Sequence, residues 1–252
     1  MRLGLLGDPV SHSRSPEIHR HLLDLASIPG TYEAVRADQE DLKTVLTEMA
    51  EGVWDGLNIT MPLKEAATRH VDECGEEAAR SGSVNTVSRR DGRLVGDSTD
   101  AMAVRALSRD PRFGSYETVL VLGTGGAARA ALAALGGTHN CFLSGRSVNG
   151  ARAASETFGV KTSPWGDPVA GALVINATPL MGLPPAVIDR AAGLIDLPYG
   201  REPTRSVAHA REASIPVVDG LDFLAYQAVE SFRIWTGLEV PIRSVFSWLR
   251  KT

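Results

Sequence analysis

Thr118-Val119-Leu120-Val121-Leu122-Gly123-Thr124-Gly125-Gly126-Ala127-Ala128-Arg129 runs from an apolar segment through a glycine cluster into an alanine-rich stretch. The pattern predicts a buried parallel strand, a tight turn and the start of a helix, the context in which a dinucleotide-binding unit begins. Glycines there let the backbone turn sharply and approach a pyrophosphate, whose charge is met by the helix N-terminus. The same letters also fit a glycine-rich turn without a ligand; the flanking strand and helix favour the first reading. Downstream, apolar runs recur near Cys141 to Leu143, Leu173 to Asn176, Gly193 to Asp196 and Val217 to Val218, the rhythm of a nucleotide domain.

Upstream, Leu3 to Leu6, Ser15 to Ala26, Thr31 to Val35, Gln39 to Glu51 and Gly56 to Thr60 alternate short apolar runs with longer amphipathic ones, again a βαβ order. Asn85 to Ser88 and Arg93 to Gly96 flank the turn residues Asp91-Gly92, so a hairpin gives the first sheet an antiparallel edge. From Gly220 the chain reads as helix, with Leu224, Ala228, Phe232 and Trp235 on one face, and the tail is expected to return to the first domain. The fold class is α/β in two domains with mostly parallel sheets, with divisions expected as 1–101, 102–219 and a C-terminal helical segment 220–252.

The chain has 252 residues, 43% of them hydrophobic, and a net charge of -4 from 26 basic and 30 acidic residues without long blocks. This describes a globular protein with no nucleic-acid face or membrane patch, suited to a small polar or anionic ligand. Cys74 and Cys141 lack the spacing of a zinc site or a redox pair and read as reduced core thiols. No apolar run approaches the roughly 20 residues of a membrane span, and Leu3 to Gly7 is too short for a signal peptide, so the expected location is cytoplasmic.

Three further segments carry chemistry. Gly56-Leu57-Asn58-Ile59-Thr60-Met61-Pro62-Leu63-Lys64 is a strand ending in polar side chains, followed by a lysine on a new helix, at the lip where open α/β sheets bind small molecules. Gly7 to Pro16 follows the first strand; Ser15-Pro16-Glu17 reads as N-cap, first helical residue and first-turn acid, while Ser13 is left over for an anion at the helix N-terminus. About 20 residues beyond the glycine cluster an NAD-binding chain usually has a carboxylate, whereas Leu143-Ser144-Gly145-Arg146-Ser147 supplies a guanidinium. That favours a 2′-phosphate and hence NADP, with Arg129 and Arg152 as weaker candidates for the same anion.

Taken in order, Ser13-x-Ser15-Pro16, Asn58-x-Thr60-x-Pro62-x-Lys64, Val84-Asn85-Thr86, Thr99-Asp100, Gly123-x-Gly125-Gly126-Ala127, Asn176-Ala177-Thr178-Pro179 and Gly220 to Gln227 resemble the shikimate dehydrogenase family nearly end to end. The resemblance implies an N-terminal substrate-binding and catalytic domain, a central NADP-binding Rossmann domain and C-terminal helices returning to the first. It implies reversible, NADP-dependent reduction of 3-dehydroshikimate to shikimate on the route to chorismate and the aromatic amino acids. Lys64 and Asp100 would form the catalytic pair; Ser13 and Ser15 would bind the substrate carboxylate, and Asn58, Thr60, Asn85, Asp100, Tyr199 and Gln227 would complete the substrate site. Gly123, Thr124, Gly125, Gly126, Ala127, Arg146, Ser147, Thr178, Leu197 and Gly220 would hold the cofactor, with Glu76 a weaker cofactor-side position and no metal. A homodimer is compatible with the family.

Local readings compete at several of these positions. Asn85 can cap a turn, Asp100 can cap the helix after Thr99, Gln227 can lie on an outer face, and His12 and His19 read as helix-surface residues outside the chemistry. Trp235-Thr236-Gly237 reads as a packing anchor and cap. The chain also departs from the family pattern: Gly145-Arg146-Ser147 stands for Asn-Arg-Thr, Gly150 for a second basic residue, Ser98 for Asn, Ala103 for Gly and Phe223 for Met, and the proline after Tyr199 is displaced. A thinner phosphate clamp keeps open a quinate/shikimate or aminoshikimate dehydrogenase with relaxed cofactor use, and, from another class, a shikimate-binding regulator without turnover.

Overall fold

In a computed structural model that describes residues 1–251, the alternation of apolar and amphipathic segments folds into two six-stranded sheets. The residues group into two units, 1–100 together with the chain from Leu224 onward, and 101–223. The first begins with β1 (Arg2–Gly7), α1 (Ser15–Leu25), β2 (Thr31–Arg36), α2 (Gln39–Ala50), β3 (Gly56–Ile59) and α3 (Lys64–Thr68). It continues with β4 (Glu73–Cys74), α4 (Glu76–Ser81), β5 (Thr86–Arg90), β6 (Arg93–Asp97) and the start of α5 (Thr99–Leu107).

The first sheet has the order β2-β1-β3-β5-β6-β4. Strands β1, β2 and β3 are parallel, with Leu6 level with Ile59, and β5 is antiparallel to both β3 and β6. The hairpin turn is made by Asp91 and Gly92, both at positive φ, as the Asp-Gly pair predicts. Leu6, Leu42, Leu46, Leu57, Ile59 and Leu63 anchor a core between α2, α3 and the sheet. The two-residue β4 is not expected from the sequence, because two residues are too few to show alternation. Ser15 does not cap α1: the helix starts at Ser15, Arg14 holds the cap position with its guanidinium bonded to Glu17 and not to the helix N–H groups, and the Ser15 N–H donates to Ser13 Oγ at 3.2 Å.

The second unit carries β7 (Thr118–Leu122), α6 (Gly126–Leu135), β8 (Asn140–Ser144), α7 (Val148–Phe158), β9 (Lys161–Thr162) and β10 (Leu173–Asn176). These lead into α8 (Pro185–Asp189), β11 (Gly193–Asp196), α9 (Arg205–Glu212) and β12 (Val217–Val218). Its sheet is parallel throughout, in the order β9-β8-β7-β10-β11-β12, so the strand order reverses between β7 and β10. That is the doubly wound arrangement whose ligands lie outside the carboxyl ends of the strands at the reversal. α10 (Gly220–Thr236) begins in this unit and ends in the first, followed by α11 (Ile242–Leu249). Leu224, Ala228 and Phe232 are buried as their spacing predicts, and the Trp235 Nε1–H donates to Val87 O at 3.0 Å with its ring against Gly56, where a Cβ would not fit.

Candidate active site

Strand order brings the chemistry of the first unit to one end of its sheet. Because β1 and β3 are parallel neighbours, the loop after Gly7 lies beside the segment Thr60 to Lys64, and Asp8 N–H donates to Met61 O at 2.9 Å. Gly7 has no side chain where a Cβ would overlap Thr60, which allows that approach. The antiparallel β5 starts at the same end, and Ile59 N–H donates to Asn85 O at 2.9 Å. β6 ends there too and delivers Thr99 and Asp100 to the first turn of α5.

Lys64 Nζ, on the first residue of α3, is hydrogen-bonded to Asp100 Oδ2; the two side chains are 16% and 3% exposed. Thr99 N–H can only donate, and it reaches Asn85 Oδ1 at 2.7 Å, which fixes the amide so that Asn85 Nδ2 faces Thr99 Oγ1 and Asp100 Oδ1, each at 2.9 Å. One carboxylate oxygen of Asp100 therefore accepts from an amide and the other from an ammonium. Asn85 is more than a turn cap, and Asp100 sits in a bonded cluster.

Behind this pair lies a second layer. Thr86 Oγ1 is 3.0 Å from Thr99 Oγ1, and Ser231 Oγ on α10 is 2.9 Å from Thr86 Oγ1 and 3.1 Å from Thr99 Oγ1. Asn58, read among the substrate-binding residues, is committed to this layer: Oδ1 accepts from Tyr32 OH at 2.8 Å, and Nδ2 has Ser231 Oγ, Thr86 Oγ1 and Asn85 O within 3.1 Å for its two hydrogens. Its amide is thereby held within the layer behind the Lys64–Asp100 pair. No local sequence pattern marks Tyr32, Thr86 or Thr99 for this layer. Ser231 was findable, since it lies one helical turn beyond Gln227, whose carbonyl its hydroxyl reaches at 2.8 Å.

Other candidates fall out individually. Ser13 and Ser15 hydroxyls meet at 3.2 Å beside the N-terminus of α1, Ser15 being buried. Thr60 is half-buried at the end of β3. Gln227 is buried and donates to Leu224 O at 3.0 Å, so it is not on an outer face. Glu76 is exposed at the start of α4. His12 is exposed, but His19 is fully buried, its ring stacked on Tyr32 at 4.4 Å and tilted against Trp235 at 5.2 Å. Burial lowers the His19 pKa to about 3, weakly opposed by nearby Asn58, and neither ring nitrogen has a hydrogen-bond partner in good geometry. The surface reading of His19 is thereby overturned.

In the second unit Gly123 has φ +119, and a Cβ there would lie 2.7 Å from Ala177 O, so glycine lets the loops at the strand-order reversal meet. Gly125 caps α6 with ordinary extended dihedrals, and a Cβ on it would touch no protein atom. Glycine at 125 thus keeps open the space at a helix N-terminus, a cradle that fits a pyrophosphate approached by Gly123, Thr124, Gly126 and Ala127. Gly145 packs against Thr124, and Ser147 Oγ caps α7 by accepting the Gly150 N–H at 3.2 Å. Arg146 between them is exposed without an ion-pair partner among the described residues. Arg129 lies over the Phe158 ring at 5.3 Å, and Arg152 makes an exposed ion pair with Glu156 at 3.0 Å.

Thr178 and Leu197 follow β10 and β11. The Thr178 hydroxyl donates to Asn176 Oδ1 at 2.7 Å, and Leu197 is buried against the start of α10, where Gly220 leaves no room for a Cβ beside Leu197 O and Pro198 O. Tyr199, half-buried, belongs to this unit, in the segment after β11. Among the described residues no group of histidine, cysteine and carboxylate side chains suits a metal ion, and no helix is long and apolar enough to cross a membrane. Both cysteines are free, Cys141 buried and Cys74 half-buried.

Comparison with known proteins bears on the whole chain. Residues 5–87 match the model of the shikimate dehydrogenase substrate binding domain, and residues 220–245 that of the shikimate 5′-dehydrogenase C-terminal domain. A shikimate dehydrogenase (NADP(+)) from an Exiguobacterium species is 35% identical, over 95% of this chain and 94% of its own length. One from Thermus thermophilus is 36% identical, over 94% of this chain and 93% of its own. The crystal structure of a Thermus thermophilus shikimate 5-dehydrogenase in complex with NADP(H) and shikimate superimposes with a TM-score of 0.88 at 34% identity, covering 100% of this chain and 99% of that one.

Proposed function

The chain belongs to the shikimate dehydrogenase family, and we propose that it is an NADP-dependent oxidoreductase that reversibly reduces 3-dehydroshikimate to shikimate, supplying chorismate and the aromatic amino acids. The observation that carries this reading is the Lys64–Asp100 pair, its carboxylate buried and oriented by Asn85, at the end of the first sheet. Bound NADP supplies the hydride acceptor, or NADPH the donor. Interconverting a secondary alcohol and a ketone also requires a proton to leave or reach the same oxygen. Lys64 Nζ handles that proton: as the free amine it takes the hydroxyl proton during oxidation and becomes the ammonium, and as the ammonium it gives that proton to the carbonyl oxygen during reduction. Asp100 Oδ2 holds Nζ in place, and the Asn85 amide on Oδ1 fixes the carboxylate plane.

Ser13 and Ser15 are assigned to the substrate carboxylate, supported by their hydroxyls meeting beside a helix N-terminus. Thr60, Asn85, Asp100 and Gln227 are assigned to the remainder of the substrate, as is Tyr199 on the family resemblance alone. Gly123 to Ala127 are assigned to the pyrophosphate, Arg146 with Ser147 to the 2′-phosphate side, and Thr178, Leu197 and Gly220 to the nicotinamide side. Two free thiols are in keeping with a cytoplasmic location.

A second reading, a quinate/shikimate or aminoshikimate dehydrogenase with relaxed cofactor use, is favoured by one observation: beside Arg146, Gly150 stands where the family has a further basic residue. A regulator without turnover is disfavoured by the intact Lys64–Asp100 pair. Initial rates with shikimate or quinate, each with NADP+ or NAD+, separate the three. The proposal expects fast turnover with shikimate and NADP+; comparable rates with quinate or NAD+ select the second reading, and tight shikimate binding without turnover selects the regulator.

A further inference from the structure

Asp196, at the end of β11, is fully buried, and nothing in the proton transfer uses it. One carboxylate oxygen accepts from Asn176 Nδ2 at 2.7 Å, across the parallel pairing that sets Asn176 level with Asp196. The other accepts from the Thr204 hydroxyl. Each partner is itself fixed. Asn176 Nδ2 also reaches Leu180 O at 3.1 Å and Oδ1 takes the Thr178 hydroxyl, whose oxygen accepts the Leu180 N–H at 3.1 Å. Thr204 Oγ1 accepts the Val207 N–H at 3.0 Å as the cap of α9.

We propose that Asp196 is a positioning residue for the nicotinamide side of the cofactor: by joining Asn176 to Thr204 it ties the 177–180 turn to the 197–204 segment and so sets Thr178 and Leu197. This rests on the cofactor reading above, which assigns those two residues to nicotinamide. Both segments leave the carboxyl ends of neighbouring strands, β10 and β11, on the far side of the strand-order reversal from Arg146, where the second half of a dinucleotide lies. Leu197 N–H donates to Asn176 O at 3.1 Å, so the backbone carries the same link.

Burial pushes the Asp196 pKa up, the Thr204 and Asn176 hydrogen bonds pull it back, and Asp219 adds to the rise. Asp196→Asn keeps the shape but presents an NH2 group either to Asn176 Nδ2 or to Thr204. In the second case the Thr204 hydroxyl hydrogen loses its acceptor while the α9 cap remains.

The test is equilibrium binding of NADP+ and of 2′,5′-ADP, the portion of the cofactor that lacks nicotinamide, to the wild type, Asp196→Asn, Thr204→Val and Thr204→Ser by calorimetry, with kcat for shikimate beside them. Asp196→Asn and Thr204→Val are expected to weaken NADP+ by about tenfold and to lower kcat by a similar factor, with 2′,5′-ADP within about twofold of wild type. Thr204→Ser, which keeps the hydroxyl, is expected to restore NADP+ affinity. Equal weakening of both ligands, unchanged NADP+ affinity in Asp196→Asn, or failure of Thr204→Ser to restore it overturns the proposal. A wild type that binds neither ligand overturns the cofactor reading first and this inference with it.

Discussion

Asp100 and Asp196 are alike in most respects and differ in one. Both are buried, both sit just past or at the end of a strand, and both accept from an asparagine amide on one oxygen. The second oxygen of Asp100 takes Lys64 Nζ, and that of Asp196 takes the Thr204 hydroxyl. An ammonium gives the first carboxylate a partner that can exchange a proton with a substrate; a hydroxyl that also caps a helix gives the second a fixed end. The chemistry of each site is decided by the partner on that second oxygen, and the asparagine does the same work in both.

The comparison breaks first at Lys64. Lys64→Ala is expected to lower kcat by a factor on the order of 100 to 10,000, with a smaller change in shikimate affinity, measured by steady-state rates; near-normal turnover removes Lys64 from the reaction. The next step tests the shared asparagine. Asn85→Ala removes the donor on Asp100 Oδ1 and is expected to cost about 10- to 100-fold in kcat with NADP+ affinity unchanged.

The second unit is sharpened at Arg146, an exposed cation without an ion-pair partner among the described residues. Arg146→Ala is expected to weaken NADP+ by about tenfold or more and leave NAD+ unaffected, since one charge-assisted contact is lost. Equal loss for both cofactors would mean that Arg146 does not read the 2′-phosphate.

The smallest effect concerns stability and no chemistry at all. His19 is neutral in the native protein, with its pKa lowered to about 3 by burial from 6.5. The unfolded chain takes up that proton near the ordinary value, so the stability this neutral ring allows is complete above 6.5 and is lost as the pH falls towards 3. Between pH 7 and pH 5 the wild type is expected to lose about 2 kcal/mol more than His19→Phe in urea unfolding. Parallel pH profiles would show that His19 is protonated in the folded protein.

Much of this was legible in the sequence. The apolar runs of both sheets, the Asp91-Gly92 hairpin and the glycine turn after Leu122 follow from local patterns, because strand burial and turn conformation select letters directly. The Lys64–Asp100 pair was named, but the network behind it was not. Hydrogen bonds among Tyr32, Asn58, Thr86, Thr99 and Ser231 join residues far apart in the chain, and each letter alone is ordinary. His19 was misread by its polarity, although its spacing gave it away: Ser15, Ile18, His19, Leu22 and Leu23 form one buried helical stripe. Ser-Pro-Glu often marks a cap at its serine, yet here the helix starts one residue earlier, at Ser15, and Ser13 supplies the acceptor.

The measurement that tests the central claim most directly is a single turnover of shikimate by Asp100→Asn loaded with NADP+, followed by the absorbance of the reduced nicotinamide. With an amide facing Lys64 in place of the carboxylate, reduction of NADP+ is expected to slow by about 100-fold or more while NADP+ affinity stays at the wild-type value. A single-turnover rate within about threefold of wild type would contradict the account, because the partner on the second oxygen of Asp100 would then not decide the chemistry.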